Sequence, residues 1–331
     1  MKASLKSMSR AIRAALLVAI AGLPLVAASQ AQAPARVLRI GLLVLNTTPI
    51  EEPVIALLRA RGFIEGPGFV IERRRAEGQP ERLPAMAAEL VRLNVDVLVS
   101  FTNAPAFAAR AATSRIPIVV WAAHDAVGTG LVTSLARPGG NITGVESLAP
   151  DLDAKRLQLL RELVPGLQRL GVLQNPTDPG TGQHLRHTRE AAQPAGISVL
   201  PVELPNRTEV DRALASIESL RPDALLTFTD PVTNSALDRV FEVARRQRMP
   251  TMCEFREFAQ RGCLVTYGAT LAEFNDRVAR FVERILKGAK PADLPMEQAT
   301  RFELVVNQKT AGEIGIRIPP EILLRADHVI E

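Results

Sequence analysis

Six short stretches of the chain carry residues able to hold a small polar molecule. They are Asn46 and Thr47 in "LNTT", Thr102 and Asn103 in "FTNAP", and Asp125 in "AHDAV", with His124 beside it. Further on come Asn175 in "LQNPT", Thr229 and Asp230 in "FTDPV", and Tyr267 in "VTYGA". The first five stretches each close an apolar Val/Ile/Leu run and precede helical sequence. Open α/β sheets bind ligands beyond the carboxyl ends of their strands, where helix N-termini point. Backbone N–H groups at such a terminus, with Thr102 and Asn103, suit a carboxylate. Asp230 or Asp125 suits an ammonium. The same residue types cap helices without any ligand, so each residue alone also has a structural reading, and only the set points to a ligand cleft.

Other constellations are weaker. His184, His187 and Glu190 in "HLRHTRE" fall at i, i+3 and i+6, which would put them on one helix face within reach of a metal. They match no zinc spacing, and a solvated helix face accounts for them, so no metal site is expected. There is no G-x-S-x-G elbow and no activated nucleophile, so no catalytic residue and no cofactor is expected. "RPGGNITGVES" looks like a phosphate cradle. Its Gly139 and Gly140 come before a β-branched run, however, which is the reverse of the strand–loop–helix order that a cradle needs. The run reads instead as a turn and crossover between two halves of the chain, the glycines supplying positive φ.

The elements that must position these residues follow from apolar periodicity. "RVLRIGLLVLN", "VDVLVSF" and "IPIVVWAA" read as buried strands, separated by the amphipathic runs "EEPVIALLRARGF", "QPERLPAMAAELVRLN" and "APAFAARAATS". Continuous Val/Ile/Leu runs between helices indicate parallel strands covered on both faces. After "NITGVES" the rhythm restarts through "QRLGVLQNP", "ISVLPVELPN" and "DALLTFTDP". The fold class is therefore α/β, with two doubly wound parallel-sheet lobes joined by three crossings near 145, 267 and 298. The first lobe is assigned to 36–145 with part of 268–298, and the second to 146–266 with part of 299–331.

Residues 1–31 read as a secretory signal. Lys2, Lys6, Arg10 and Arg13 precede the apolar "AALLVAIAGLPLVAA", and the small residues of "SQAQA" suit cleavage that leaves Gln32 first. Of the net charge of +5, those four residues supply four, so the remainder carries +1. A mature chain so nearly neutral, with interspersed charges, is not expected to bind nucleic acid. Cys253 and Cys263 lie in an exported chain at the ends of neighbouring strands, so they can form a bridge or stay as buried free thiols. Aromatic residues make up 4% of the chain, which leaves few stacking faces for an aromatic ligand.

"LARPGGNITGV", "KRLQLLRELVP", "LVTYGA" and the tail "ERILKGAKPADLPMEQATRFELVVNQKTAGEIGIRIPPEILLRAD" together resemble the ABC transporter substrate-binding proteins of the tryptophan/tyrosine-type uptake family. The resemblance spans nearly the whole mature chain. It implies a class I periplasmic-binding-protein-like fold with ligand in the cleft. It also implies a periplasmic, monomeric receptor that hands a small organic solute, an amino acid or similar carboxylate, to an ABC permease in the inner membrane. The chain departs from the family pattern at Asp125-Ala126, where Asp-Pro is common, and at Gly262-Cys263, where two glycines are common. Two other readings stay open at this level: an exported ligand sensor without a transporter, and an α/β hydrolase-like enzyme.

Overall fold

The computed structural model describes residues 37–45, 51–66, 68–147 and 149–331. The leader, Asn46 and Thr47 lie outside the described residues. The first sheet is built from β1 (Leu38–Val44), β2 (Phe69–Arg75), β3 (Val97–Ser100), β4 (Ile118–Ala123) and β5 (Ile142–Glu146), with a late addition, β11 (Glu297–Gln298). Its order is β11-β5-β4-β3-β1-β2, parallel throughout. β3, β4 and β5 are buried along their whole length, as the unbroken apolar runs require. β2 is the edge, and its "ERRR" end is only half-buried.

The second sheet has the order β13-β12-β10-β9-β8-β6-β7. Its strands are β6 (Arg169–Gln174), β7 (Ser198–Glu203), β8 (Ala224–Thr227), β9 (Thr251–Cys253), β10 (Val265–Ala269), β12 (Phe302–Asn307) and β13 (His328–Ile330). All neighbours are parallel except β10 and β12. Helices cover both sheets. α1 (Glu52–Ala60) packs with α9 (Leu271–Leu286) on the first sheet, and α2 (Leu83–Arg92) packs with α3 (Asn103–Ala112). On the second, α4 (Ala149–Leu163) packs with α5 (Thr181–Ala192), and α6 (Val210–Leu220) with α7 (Pro231–Arg246). α8 (Arg256–Gln260), α10 (Gln308–Ile314) and α11 (Pro320–Arg325) complete the lobe.

Three short passages join the lobes: β5 to α4, β10 to α9, and β11 to β12. α9 ties the two lobes together. It comes after a second-lobe strand, yet it buries Phe274, Val278, Phe281 and Val282 against the first lobe, where it contacts β4 and β5. The Thr270 hydroxyl caps it by accepting from the Glu273 N–H at 3.2 Å.

The glycine-rich run lies one strand before the crossing expected of it. Gly139 and Gly140 have φ of 73° and 64°, and the Asn141 side chain donates to the Thr113 and Ile116 carbonyls at 3.1 and 2.7 Å. The run is thus pinned at the entry of β4 and β5, and the chain leaves the lobe only after β5. Gly144 within β5 has a separate reason to lack a side chain: a Cβ there would lie 2.2 Å from the Val120 carbonyl oxygen of β4.

Cys253 and Cys263 form a disulfide, with Cα atoms 6.5 Å apart. Cys253 ends β9, and Cys263 sits just ahead of β10, whose Thr266 is the register partner of Cys253.

Candidate functional site

The carboxyl ends of both sheets face one cavity of about 610 Å³. From the first lobe it is lined by Phe101 and Thr102 after β3, Trp121 and His124 at the end of β4, and Asn275 of α9. The second lobe contributes Thr229 and Asp230 after β8, then Phe255 and Phe258, and the arginines Arg207 and Arg261. A larger hollow of about 870 Å³ lies at the opposite, amino-terminal end of the second sheet, lined by Gly166, Pro222 and Pro250 among others. The topology favours the smaller one, because helix N-termini and strand-end side chains converge only at the carboxyl ends.

Although aromatic residues make up only 4% of the chain, several of their rings meet here. Phe101 stacks on Trp121 with centroids 6.0 Å apart, and Trp121 meets Phe274 at 5.1 Å. Phe274 meets Phe255 at 6.2 Å, and Phe255 meets Phe258 at 5.9 Å. This chain of rings runs from the first lobe through α9 into the second. The chain's one tryptophan is held by its polar edge, its indole N–H donating to Asn275 Oδ1 at 2.7 Å.

Asp230 is buried at the start of α7 with its carboxyl drawn into a capping network. Its Oδ1 accepts from the N–H groups of Val232 (2.7 Å) and Thr233 (3.4 Å) and from Asn175 Nδ2 (3.1 Å). The Asp230 N–H in turn donates to Thr233 Oγ1 at 3.1 Å, closing a capping box at the start of α7. Its Oδ2 makes no hydrogen bond among the described residues. Burial, and then the Asp178 carboxylate nearby, push Asp230 up to about 7 from its ordinary 3.8, against hydrogen bonds that favour the charged form. Across the cleft, burial and the neighbouring His184 hold His124 below the usual histidine range. The Thr102 and Thr229 hydroxyls, one from each lobe, are buried and make no hydrogen bond among the described residues.

The expected strand-end residues therefore divide. Thr102, Thr229 and Asp230 line the cavity together. Asn103 is wholly buried and turned back on β4, donating to the His124 carbonyl at 2.7 Å and accepting the His124 N–H at 3.0 Å. Asp125 closes its own turn, its Oδ1 accepting the Gly128 N–H at 2.9 Å, with φ of 51°. Asn175 supports Asp230 and the Thr177 N–H. Tyr267 lies inside β10, before the crossing, with its ring against Phe302 at 6.4 Å and not on the cavity.

His184 is not on a solvated face. It is buried at 2% exposure, its Nδ1 3.0 Å from Asp153 Oδ2, with Asp153 Oδ1 accepting from Arg156 at 2.8 Å. Its ring meets His124 of the other lobe edge-on at 5.4 Å. His187 pairs with Gln183 instead. No three His, Cys, Asp or Glu among the described residues are grouped to hold a metal.

Sequence reasoning missed Phe101, Trp121, Asn275, Arg207, Arg261, Phe255 and Phe258. Trp121 gave one signal, an indole N–H near the end of an otherwise apolar strand, which demands a partner. Asn275 gave none: the sequence assigns part of 268–298 to the first lobe, but nothing in its local pattern marks which residue of α9 meets Trp121.

Two mostly parallel α/β sheets joined by three short passages, with a cavity between their carboxyl ends, define a two-lobed solute-binding protein. The chain belongs to the ABC transporter substrate binding protein family, whose model matches residues 50–330. This makes it a binding protein and not an enzyme. It is 25% identical over 263 residues to the tyrosine-binding protein of Clostridioides difficile (strain R20291), covering 80% of this chain and 75% of that one. A conserved domain protein from Vibrio cholerae O1 biovar El Tor superposes with a TM-score of 0.84 at 26% identity, over 89% of this chain and 100% of that one. The ABC domain in complex with L-Trp from Streptococcus pneumoniae superposes with a TM-score of 0.82 at 25% identity, over the same shares.

Proposed function

We propose that the chain is the receptor of an ABC importer and captures an aromatic amino acid in the cleft between its lobes. The observation that carries this reading is the row of rings from Phe101 to Phe258, set beside a buried carboxyl, Asp230, and two threonine hydroxyls that make no hydrogen bond among the described residues. The rings suit an aromatic side chain. Asp230 Oδ2 suits its ammonium, and Thr102 and Thr229 add hydrogen bonds from both sides. Asn103, Asp125 and Asn175 hold the frame. The relatives' ligands, tyrosine and L-Trp, support the same class.

Ligand reaching both lobes favours the closed arrangement, and the three short passages are where rotation would occur. The secretory pattern of the first 31 residues supports delivery to the periplasm, where a membrane permease would receive the ligand. No helix among the described residues is long and apolar enough to cross a membrane. The test is mass spectrometry of small molecules released from freshly purified, denatured protein, followed by calorimetric titration with L-tryptophan and L-tyrosine. Release of a sugar, or no heat with either amino acid, would sink the reading.

A further inference from the structure

Among the described residues, the charges around the cavity leave one of each sign outside any ion pair. Arg261 Nε donates to Asp238 Oδ1 at 2.8 Å, so these two lining residues neutralise each other. Burial keeps His124 neutral. Asp230 makes no ion pair, and neither does Arg207 among the described residues. An acid and a base on one cavity, neither of them in an ion pair, are the complement of a zwitterion.

Arg207 is also held where it can act. It opens the short turn before α6, and Asn206 fixes that turn by accepting the Thr208 N–H at 3.0 Å. Its stem then reaches across the mouth of the cleft to Gly78, in the first-lobe loop after β2. A Cβ on Gly78 would lie 2.7 Å from Arg207 Cδ, and Gly78 has φ of 78°. The glycine therefore lets the arginine cross from one lobe to the other, with an exposed guanidinium that a ligand would cover. On the first lobe the competing anion site is the start of α3. There the Asn103 amide is already spent on β4, and no side chain caps the helix.

We propose that Arg207 recognises the ligand's carboxylate, in two-pronged hydrogen bonds that its planar fork allows and a lysine cannot reproduce. The assignment rests on the aromatic amino-acid reading and narrows it: the ligand is a free α-amino acid rather than an aromatic amine.

The experiment compares wild type with Arg207→Ala and Arg207→Lys, by titration with L-tryptophan and L-tyrosine and with their decarboxylated forms, tryptamine and tyramine. The expected result is a tenfold or larger loss of amino-acid affinity in Arg207→Ala and partial recovery in Arg207→Lys. The amines should stay as weak in the variants as in wild type. Amino-acid binding within threefold of wild type in Arg207→Ala overturns the proposal and moves the carboxylate to Thr102 and the start of α3. Equal loss for acids and amines also overturns it, since the residue would then serve packing alone. A wild type that binds neither amino acid overturns the parent reading, and the role of Arg207 with it.

Discussion

Replacing Asp230 by Asn separates two effects that the structure places in one side chain. Ionised Asp230 is costly in the empty receptor, because a carboxyl raised from 3.8 to about 7 holds its proton in the fold and loses it in the unfolded chain. At about 1.4 kcal/mol per tenfold in proton affinity, the charge costs the ligand-free fold roughly 4 kcal/mol above pH 7. The sign follows from linkage. Between pH 4 and 7 the folded state binds more protons than the unfolded one, so wild-type stability falls as pH rises through that window and is level above it. Asn keeps the cap, since its oxygen can still accept from Val232, Thr233 and Asn175. Asp230→Asn is therefore expected to be as stable as wild type near pH 4 and about 2–4 kcal/mol more stable at pH 8. Comparing variant with wild type at each pH cancels the titration of His124. Binding should move the other way, with L-tryptophan affinity falling by about 2–5 kcal/mol as the charge partner of its ammonium is lost. Urea denaturation at pH 4, 6 and 8 reads the first effect, and calorimetric titration at pH 8 the second. A variant destabilised equally at all three pH values would refute the reasoning, leaving Asp230 as a cap whose charge the fold needs.

Three further outcomes are expected. The Cys253→Ala/Cys263→Ala double variant should lose about 2–4 kcal/mol in guanidinium denaturation, because the bond closes a short loop. That loop carries Phe255 and Phe258, so its amino-acid affinity should fall as well. Gly144→Ala should lower the melting temperature sharply or prevent folding, since its Cβ would meet the Val120 carbonyl at 2.2 Å; a normal melting curve would contradict the β4–β5 packing. Relative to His124→Asn, wild type should lose stability as pH falls below about 6.5. The unfolded histidine takes up a proton there, while the folded one is kept neutral by burial and by His184, with Arg156 opposing a charge and Asp178 and Glu254 favouring it. Parallel stability curves for the two proteins between pH 5 and 7 would show that His124 does not titrate differently on folding.

Strands, helices and the doubled α/β rhythm were legible in the chain, because a strand buried on both faces must be apolar throughout and a covering helix must be apolar on one side. The same logic reached Thr102, Thr229 and Asp230, since the end of a parallel strand is a fixed place in such a fold. What local sequence could not carry was the division of those strand ends into cavity-lining and frame-holding residues. Asn103 and Asp230 both begin a helix after a buried strand. One turns to a carbonyl 21 residues away and the other keeps an oxygen for the cavity, and only the packing of neighbouring strands makes that choice. Composition is silent for a related reason: a 4% aromatic content says nothing of where the rings meet. Trp121 comes from β4, Phe274 and Asn275 from a helix that returns across the passage after β10, and Phe255 and Phe258 from a loop closed by a disulfide. Trp121 and Asn275, 154 positions apart, share one wall because the passage after β10 returns α9 to the first sheet, against β4. That convergence is a property of the tertiary fold, since each side chain's local pattern is satisfied equally well by an ordinary buried core.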